Sequence, residues 1–169
     1  MKIALLMENS QAAKNELVHS VLKKTAEGLG HEVLNYGMYT AEDECQLTYV
    51  KNGLLAAILL NSKAADFVVT GCGTGEGACL ALNSFPNVLC GLAVDPSDAF
   101  LFTQINNGNA IALPFAKGFG WGAELNLEYM FKEMFSAEFG KGYPPERVAP
   151  QQANKLILDQ VKKITHKDM

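Results

Sequence analysis

Short apolar runs alternate along this chain with longer stretches in which apolar residues recur every three or four positions. Ile3, Ala4, Leu5, Leu6 and Met7 form the first run and predict a buried strand. Ser10 follows as a candidate helix cap, and Leu17, Val21 and Leu22 fall at helical spacing behind it. Gly28 and Gly30 close that helix, and residues 31–34 predict a second strand. A polar segment over 39–46 leads into a helix over 47–61, whose apolar run 54–60 reads as a buried face. Phe67, Val68 and Val69 predict a third strand, followed by a turn over 71–77 and a helix over 76–83 that Pro86 ends. Residues 88–94, apolar apart from Gly91, predict a fourth strand covered on both faces. Asp95, Pro96 and Ser97 mark a capped helix start; that helix runs to 107, and residues 110–113 predict a fifth strand.

Five strands separated by helices predict an α/β fold, a three-layer α/β/α sandwich around a five-stranded parallel, Rossmann-like sheet. Beyond Phe115 the pattern changes to a glycine-rich loop over 117–122, a helix over 123–135, a Gly/Pro-rich loop over 140–150 and an amphipathic helix over 153–164. The expectation is one domain over 1–169, with a core over 1–115 and a C-terminal helical extension over 116–169.

Composition narrows the function classes. Of the 14 basic residues only Arg147 is an arginine, the lysines form no cluster, and the net charge is −4, so a nucleic-acid surface is not expected. No run approaches the roughly 18 apolar residues that span a bilayer, and the first apolar run is too short for a signal peptide. Cys45, Cys72, Cys79 and Cys90 show no C-x-x-C spacing, which predicts no zinc knuckle and no thioredoxin motif. A cytoplasmic protein with reduced thiols, no metal and no membrane partner is expected.

In an open parallel sheet, ligands sit beyond the carboxyl ends of the strands. The most informative of these ends is Gly71-Cys72-Gly73-Thr74-Gly75-Glu76-Gly77. Its glycines let the backbone turn tightly and aim several N–H groups at one spot, where the following helix adds partial positive charge. Such a cradle suits a phosphate or an enolate oxygen. Cys72 and Glu76 can move protons there, with the Thr74 hydroxyl between them, which is what abstraction of a proton beside a carbonyl requires. A plain glycine turn with Cys72 as a core thiol is the bland alternative. Gly73, Gly75 and Ala78 also satisfy a relaxed dinucleotide pattern, but that motif belongs after the first strand, where Glu8, Asn9 and Ser10 stand instead. No Gly-Lys-Ser/Thr follows, which excludes a Walker P-loop.

At this loop the chain resembles the type B ribose-5-phosphate isomerase and galactose-6-phosphate isomerase family. The landmarks are Met1-Lys2-Ile3-Ala4, Leu29-Gly30-His31-Glu32-Val33, Cys72-Gly73-Thr74-Gly75, Ala81-Leu82-Asn83 and Asn106-Asn107-Gly108-Asn109, in order over the first 115 residues, with a weaker echo near Arg147. The resemblance implies a doubly wound parallel sheet and a homodimer, or a tetramer built from it, with active sites between subunits. It also implies cofactor-free aldose–ketose interconversion of a phosphorylated sugar of four to six carbons through a cis-enediolate. In that family the base is the Cys at the position of Cys72 or the Glu at the position of Glu76. This chain has both, and Glu76 is favoured because a carboxylate in a first helical turn is easily kept ionised. Thr74 and the N–H groups of Gly73 and Gly75 would stabilise the oxyanion, with Gly71 and Gly77 flanking them.

Two departures stand out. The family's Asp-His pair after strand one is Glu8-Asn9 here, and its ring-opening His before the Asn-x-x-Asn segment is Ile105. Isoleucine cannot transfer a proton, so either the substrate arrives open-chain or another group opens the ring. Arg147 and Lys117 are the candidates for holding phosphate, and Glu8, Asn9, Asn106 and Asn109 complete the expected substrate contacts. The aromatic cluster of Phe119, Trp121, Tyr129, Phe131 and Phe135 reads as packing rather than a lid. The competing expectations are an isomerase-fold protein that binds a sugar phosphate without turnover, and a dinucleotide-dependent oxidoreductase.

Overall fold

The structure, a computed structural model, describes residues 1–167 and 169. Five strands form one sheet: β1 (Lys2–Leu6), β2 (Glu32–Asn35), β3 (Phe67–Cys72), β4 (Cys90–Leu92) and β5 (Ala110–Pro114). All pair in parallel, in the order β2-β1-β3-β5-β4. Side chains alternate across it as the pleat demands. Ile3, Leu5, Phe67, Val69, Ile111 and Leu113 face one side, where they pack against α1 (Asn15–Gly28) and α5 (Ala123–Phe135). Ala4, Leu6, Val68, Cys72, Ala110 and Ala112 face the other, against α2 (Tyr49–Asn61) and α3 (Glu76–Asn83). These layers make the three-layer α/β/α sandwich. Helix α4 (Pro96–Leu101) runs into a π-turn over Phe102–Asn106 before β5, and α6 (Val148–Thr165) packs against that turn. No helix of the described residues is long and apolar enough to cross a membrane.

Local detail departs from the expected pattern in several places. Ser10 does not cap α1. Its hydroxyl is committed to Glu8, a 3-10 turn over Ala12–Lys14 intervenes, and α1 starts at Asn15. Strand β3 runs through Gly71 and Cys72, because both pair with β5, so the true turn is only Gly73-Thr74-Gly75. Strand β4 has three residues and lies at the sheet edge, leaving Leu92 37% and Val94 46% exposed. The apolar run on α2 is not one face: Ala56, Ala57, Leu59 and Leu60 are buried, whereas Leu54 and Ile58 are exposed. Helix α6 also begins earlier than its amphipathic pattern suggests, at Val148.

Candidate active site

Strand order reverses between β1 and β3, so the crevice of this sheet lies between the segments that leave their carboxyl ends. After β1, the chain forms a hydrogen-bonded rim. Glu8 is 2% exposed, and its carboxylate accepts the Ser10 N–H at 3.0 Å and the Ser10 hydroxyl at 2.5 Å. The Ser10 hydroxyl oxygen accepts from the Gln11 carboxamide at 3.2 Å, and Gln11 Oε1 accepts from Lys14 Nζ at 2.6 Å. The Lys14 ammonium also donates to the Phe115 carbonyl and lies 5.0 Å from the centre of the Phe119 ring. Asn9 is tied through its backbone N–H to Leu47 O at 2.7 Å, while its carboxamide makes no hydrogen bond among the described residues.

After β3, the turn is fastened from outside through its carbonyls. Phe115 N–H donates to Cys72 O at 2.9 Å, and the N–H groups of Ala116 and Lys117 donate to Gly73 O at 3.0 and 2.9 Å. The N–H groups of Gly73, Thr74 and Gly75 donate to no acceptor among the described residues. They stand immediately before α3, whose own first N–H groups have no intrahelical partner either. At this helix start the Glu76 N–H donates to the Thr74 hydroxyl oxygen at 3.3 Å and the Cys79 N–H to Gly75 O at 3.0 Å.

The glycines differ in why they are needed. Gly75 sits at φ +79°, and a Cβ there would come within 2.6 Å of the Leu92 side chain. At Gly77 a Cβ would lie at ordinary contact distance, 3.4 Å from the Tyr49 ring. Gly73 has neither constraint: its nearest neighbours would be Ala116 Cβ at 3.8 Å and Gln11 Nε2 at 4.0 Å. What its missing side chain keeps is open space, bordered by unpaired amides and the Gln11–Lys14 rim.

Of the expected site residues, Gly73, Thr74, Gly75, Glu76 and Gly77 share this turn and helix start, with Glu76 and Thr74 exposed. Gly71 and Cys72 end the strand beneath it. Cys72 is 8% exposed, packs on the α2–α3 side, and no hydrogen bond among the described residues reaches its sulfur. Glu8 and Asn9 border the crevice, although the Glu8 carboxylate is already occupied by Ser10. Lys117 is exposed and lines a cavity of about 210 Å³ with Val94, Leu113, Phe119 and Ala123. Asn106 and Asn109 lie at the opposite, amino end of the strands, because β5 only starts at Ala110, which pairs with Val68. At roughly 3.3 Å per residue, the length of β3 puts them about 20 Å from the turn of their own chain. Asn109 is moreover engaged, accepting the Leu89 N–H at 2.8 Å and donating to Asn87 O at 2.7 Å. Arg147 is exposed in a 3-10 turn over Pro145–Arg147, in a segment tied by Gly140 and Gly142 to Thr103 and Gln104.

The structure also adds residues that the sequence pattern did not single out. Gln11 and Lys14 belong to the rim. Asn52 is fully buried under the crevice, donating to Leu6 O at 3.2 Å beside the Thr70 hydroxyl at 2.6 Å, with its own carbonyl oxygen unpartnered among the described residues. Cys79, on α3 one turn beyond Glu76, contacts Cys90. Its Sγ lies 3.4 Å from Cys90 O and accepts from the Asn83 carboxamide at 3.5 Å; the Cys90 thiol and Asn83 outweigh burial and bring the Cys79 thiol down to about 7, while Cys90 is pushed up. A thiol lowered in this way should be alkylated by iodoacetamide with a rate that reaches half its plateau near pH 7, below the range of an ordinary cysteine. Peptide mass spectrometry across pH 5–9 checks this against the exposed Cys45; unmodified Cys79 at pH 8 would contradict it.

Comparison with known proteins places this geometry. Residues 3–149 match the Ribose/Galactose Isomerase family. The structure is similar to a 4-deoxy-L-threo-5-hexosulose-uronate ketol-isomerase complexed with a tartrate, with 63% identity and TM-score 0.98 over 100% of this chain and 79% of that one. It is similar to ribose-5-phosphate isomerase LacAB_rpiB from Vibrio parahaemolyticus, with 61% identity and TM-score 0.97 over 99% of this chain and 79% of that one. A ribose 5-phosphate isomerase from Thermotoga maritima is 25% identical, with TM-score 0.71 over 94% of this chain and 97% of that one. The chain belongs to the Ribose/Galactose Isomerase family and is a sugar isomerase.

Proposed function

We propose that this protein is an aldose–ketose isomerase that works through a cis-enediolate on an acyclic, unphosphorylated sugar acid of the 4-deoxy-5-keto-uronate kind. The observation that carries the reaction type is the row of unpaired N–H groups at Gly73, Thr74 and Gly75, beside an exposed carboxylate at Glu76 and the open space at Gly73. Glu76 takes the proton from C2 while the C1 carbonyl oxygen gains negative charge, which the turn amides and the start of α3 stabilise. Moving the C2 hydroxyl proton to O1 shifts the charge to O2 within the enediolate. Return of the carbon-bound proton from Glu76 to C1 leaves a ketone at C2 and a hydroxymethyl at C1. The exposed Thr74 hydroxyl is the group on the turn that would relay this proton.

The choice of substrate rests on what the chain lacks. Ile105 stands where the family resemblance places a ring-opening His, and Asn9 where it places a phosphate-holding one. A 4-deoxy-5-keto uronate has no hydroxyl at C4 or C5 to close a furanose or pyranose on its aldehyde. It needs no ring opening, and it carries a carboxylate in place of a phosphate. A phosphorylated sugar is the second reading, supported by similarity to the Vibrio protein.

We further propose that the working unit is a homodimer with the site between subunits. Tyr49, Val50, Leu54, Ile58 and Leu80 are 42–73% exposed and form an apolar face on α2 and α3 beside Gly77. A second copy covering this face would bring its own Asn106 and Arg147 toward a turn they cannot reach within one chain.

The test is incubation with 4-deoxy-L-threo-5-hexosulose-uronate and, separately, ribose 5-phosphate in D2O, followed by NMR. Ketol formation with solvent deuterium at C1 is expected for the uronate, with kcat/KM at least about 100-fold above that for the phosphate, near 3 kcal/mol of discrimination. Turnover of the phosphate alone would reverse the substrate assignment.

A further inference from the structure

We infer that Lys14 is the cation that receives the substrate's terminal carboxylate, an assignment that rests on the isomerase reading above. The reasoning starts from charge. Among the described residues, ion pairs join Lys24 to Glu128, Lys141 to Glu138 and Lys155 to Asp159, and none of these lies in the crevice. Lys14 is partly buried and, among the described residues, has no carboxylate within ion-pair distance. The acid that borders the same rim, Glu8, is taken up by the N–H and hydroxyl of Ser10. Withdrawing an ammonium from water without a counter-charge is unfavourable, and a carbonyl and a carboxamide offset only part of that cost.

Position gives the ammonium a use. It is held in place from three sides: by Gln11 Oε1 at 2.6 Å, by the Phe115 carbonyl and by the Phe119 ring at 5.0 Å. Those partners also define the reaction cradle. The Gln11 carboxamide nitrogen is the group that faces the open space at Gly73, and Phe115 is the residue whose N–H fastens Cys72 O. Lys14 thus stands one carboxamide's length beyond the open space at Gly73. An extended six-carbon acid with C1 and C2 at the turn amides is long enough to bring its C6 carboxylate to this ammonium. An ammonium has three N–H donors, and the rim occupies two. The third is free for an anion. Restrained by its packing, the cation needs little ordering when the ligand arrives.

Lys117 is the competing cation on the same side of the sheet, but it is exposed at the mouth of a separate cavity between the 117–119 loop and α5. Arg147 belongs to a segment packed on Thr103 and Gln104. Neither is bound into the rim.

The experiment pairs Lys14→Met, which keeps an unbranched stem against Phe119, with Lys14→Arg, which keeps the charge. Calorimetric binding of tartrate, a small dicarboxylate, is measured alongside KM and kcat for the uronate. Lys14→Met is expected to weaken tartrate at least tenfold and to raise KM at least 30-fold with kcat within threefold of wild type, and Lys14→Arg is expected to recover most of both. Unchanged tartrate affinity and KM in Lys14→Met would overturn the assignment, as would loss of kcat and melting temperature without a change in either. A wild-type protein that binds no tartrate would overturn it too. The two readings fail separately: absence of uronate turnover in the wild type defeats the proposed reaction, whereas the tartrate measurement decides the role of Lys14 without any turnover.

Discussion

Replacing Glu76 by Gln is expected to lower kcat by about 10³–10⁴-fold with little change in KM or melting temperature, the loss that removing a positioned base produces. At 1.36 kcal/mol per decade this is about 4–5 kcal/mol of transition-state stabilisation. The size follows from what stays behind: the carboxamide variant keeps its backbone in the first turn of α3, so the cradle survives while nothing beside it can accept a proton. Fold is spared because Glu76 is exposed and its side chain makes no hydrogen bond or ion pair among the described residues. Cys72→Ala makes the comparison. Its sulfur is packed on the α2–α3 side and accepts or donates no hydrogen bond among the described residues, so the cost should stay within about tenfold. Steady-state kinetics of both variants decide between them. A collapse in Cys72→Ala with Glu76→Gln near wild type would hand the proton to the thiol.

Much of this fold was legible locally, because an apolar run of five or six residues between turn formers has few alternatives to a buried strand. The layer arrangement followed from the alternation of such runs with helical spacing. Reading failed wherever the reason for a residue lies far along the chain. Gly71 looks like part of a loop, yet it is a strand residue whose constraint comes from Leu113 and Phe115. Residues 88–94 are apolar enough for a central strand, but the strand β5 that follows inserts between β3 and β4 and leaves Leu92 and Val94 at the edge. Lys14 resembles any lysine near a helix start; its setting is made by Phe115 and Phe119, far along the chain. The Asn106-Asn107-Gly108-Asn109 segment was conspicuous as a motif, but strand direction, which spacing alone does not reveal, puts it at the amino end of the strands, away from the turn.

Gly71→Ala should show how closely the site floor depends on that distant constraint. A Cβ at position 71 would lie 2.2 Å from the Leu113 carbonyl oxygen and 2.5 Å from the Phe115 ring. One obstacle is backbone of the paired strand and the other is an aromatic side chain with 0% exposure, so neither can swing aside as a flexible chain end would. Relief requires β3 and β5 to part at Gly71 and Leu113, next to the Phe115 N–H that fastens Cys72 O. Overpacking of this kind typically costs about 1–3 kcal/mol, and an obstacle made of backbone belongs at the upper end, about 3 kcal/mol. For a domain of this size that lowers the melting temperature by about 10 °C. The parting would also move Gly73 relative to Gln11 and Lys14, because all three are referenced to the strand ends through Phe115 and Ala116. Residual activity measured well below the new melting point should therefore fall as well, by at least about tenfold, which separates a displaced cradle from simple unfolding. Calorimetry with kinetics at 15 °C checks both effects, and a variant with wild-type stability and turnover would show that β5 does not set the floor of the site.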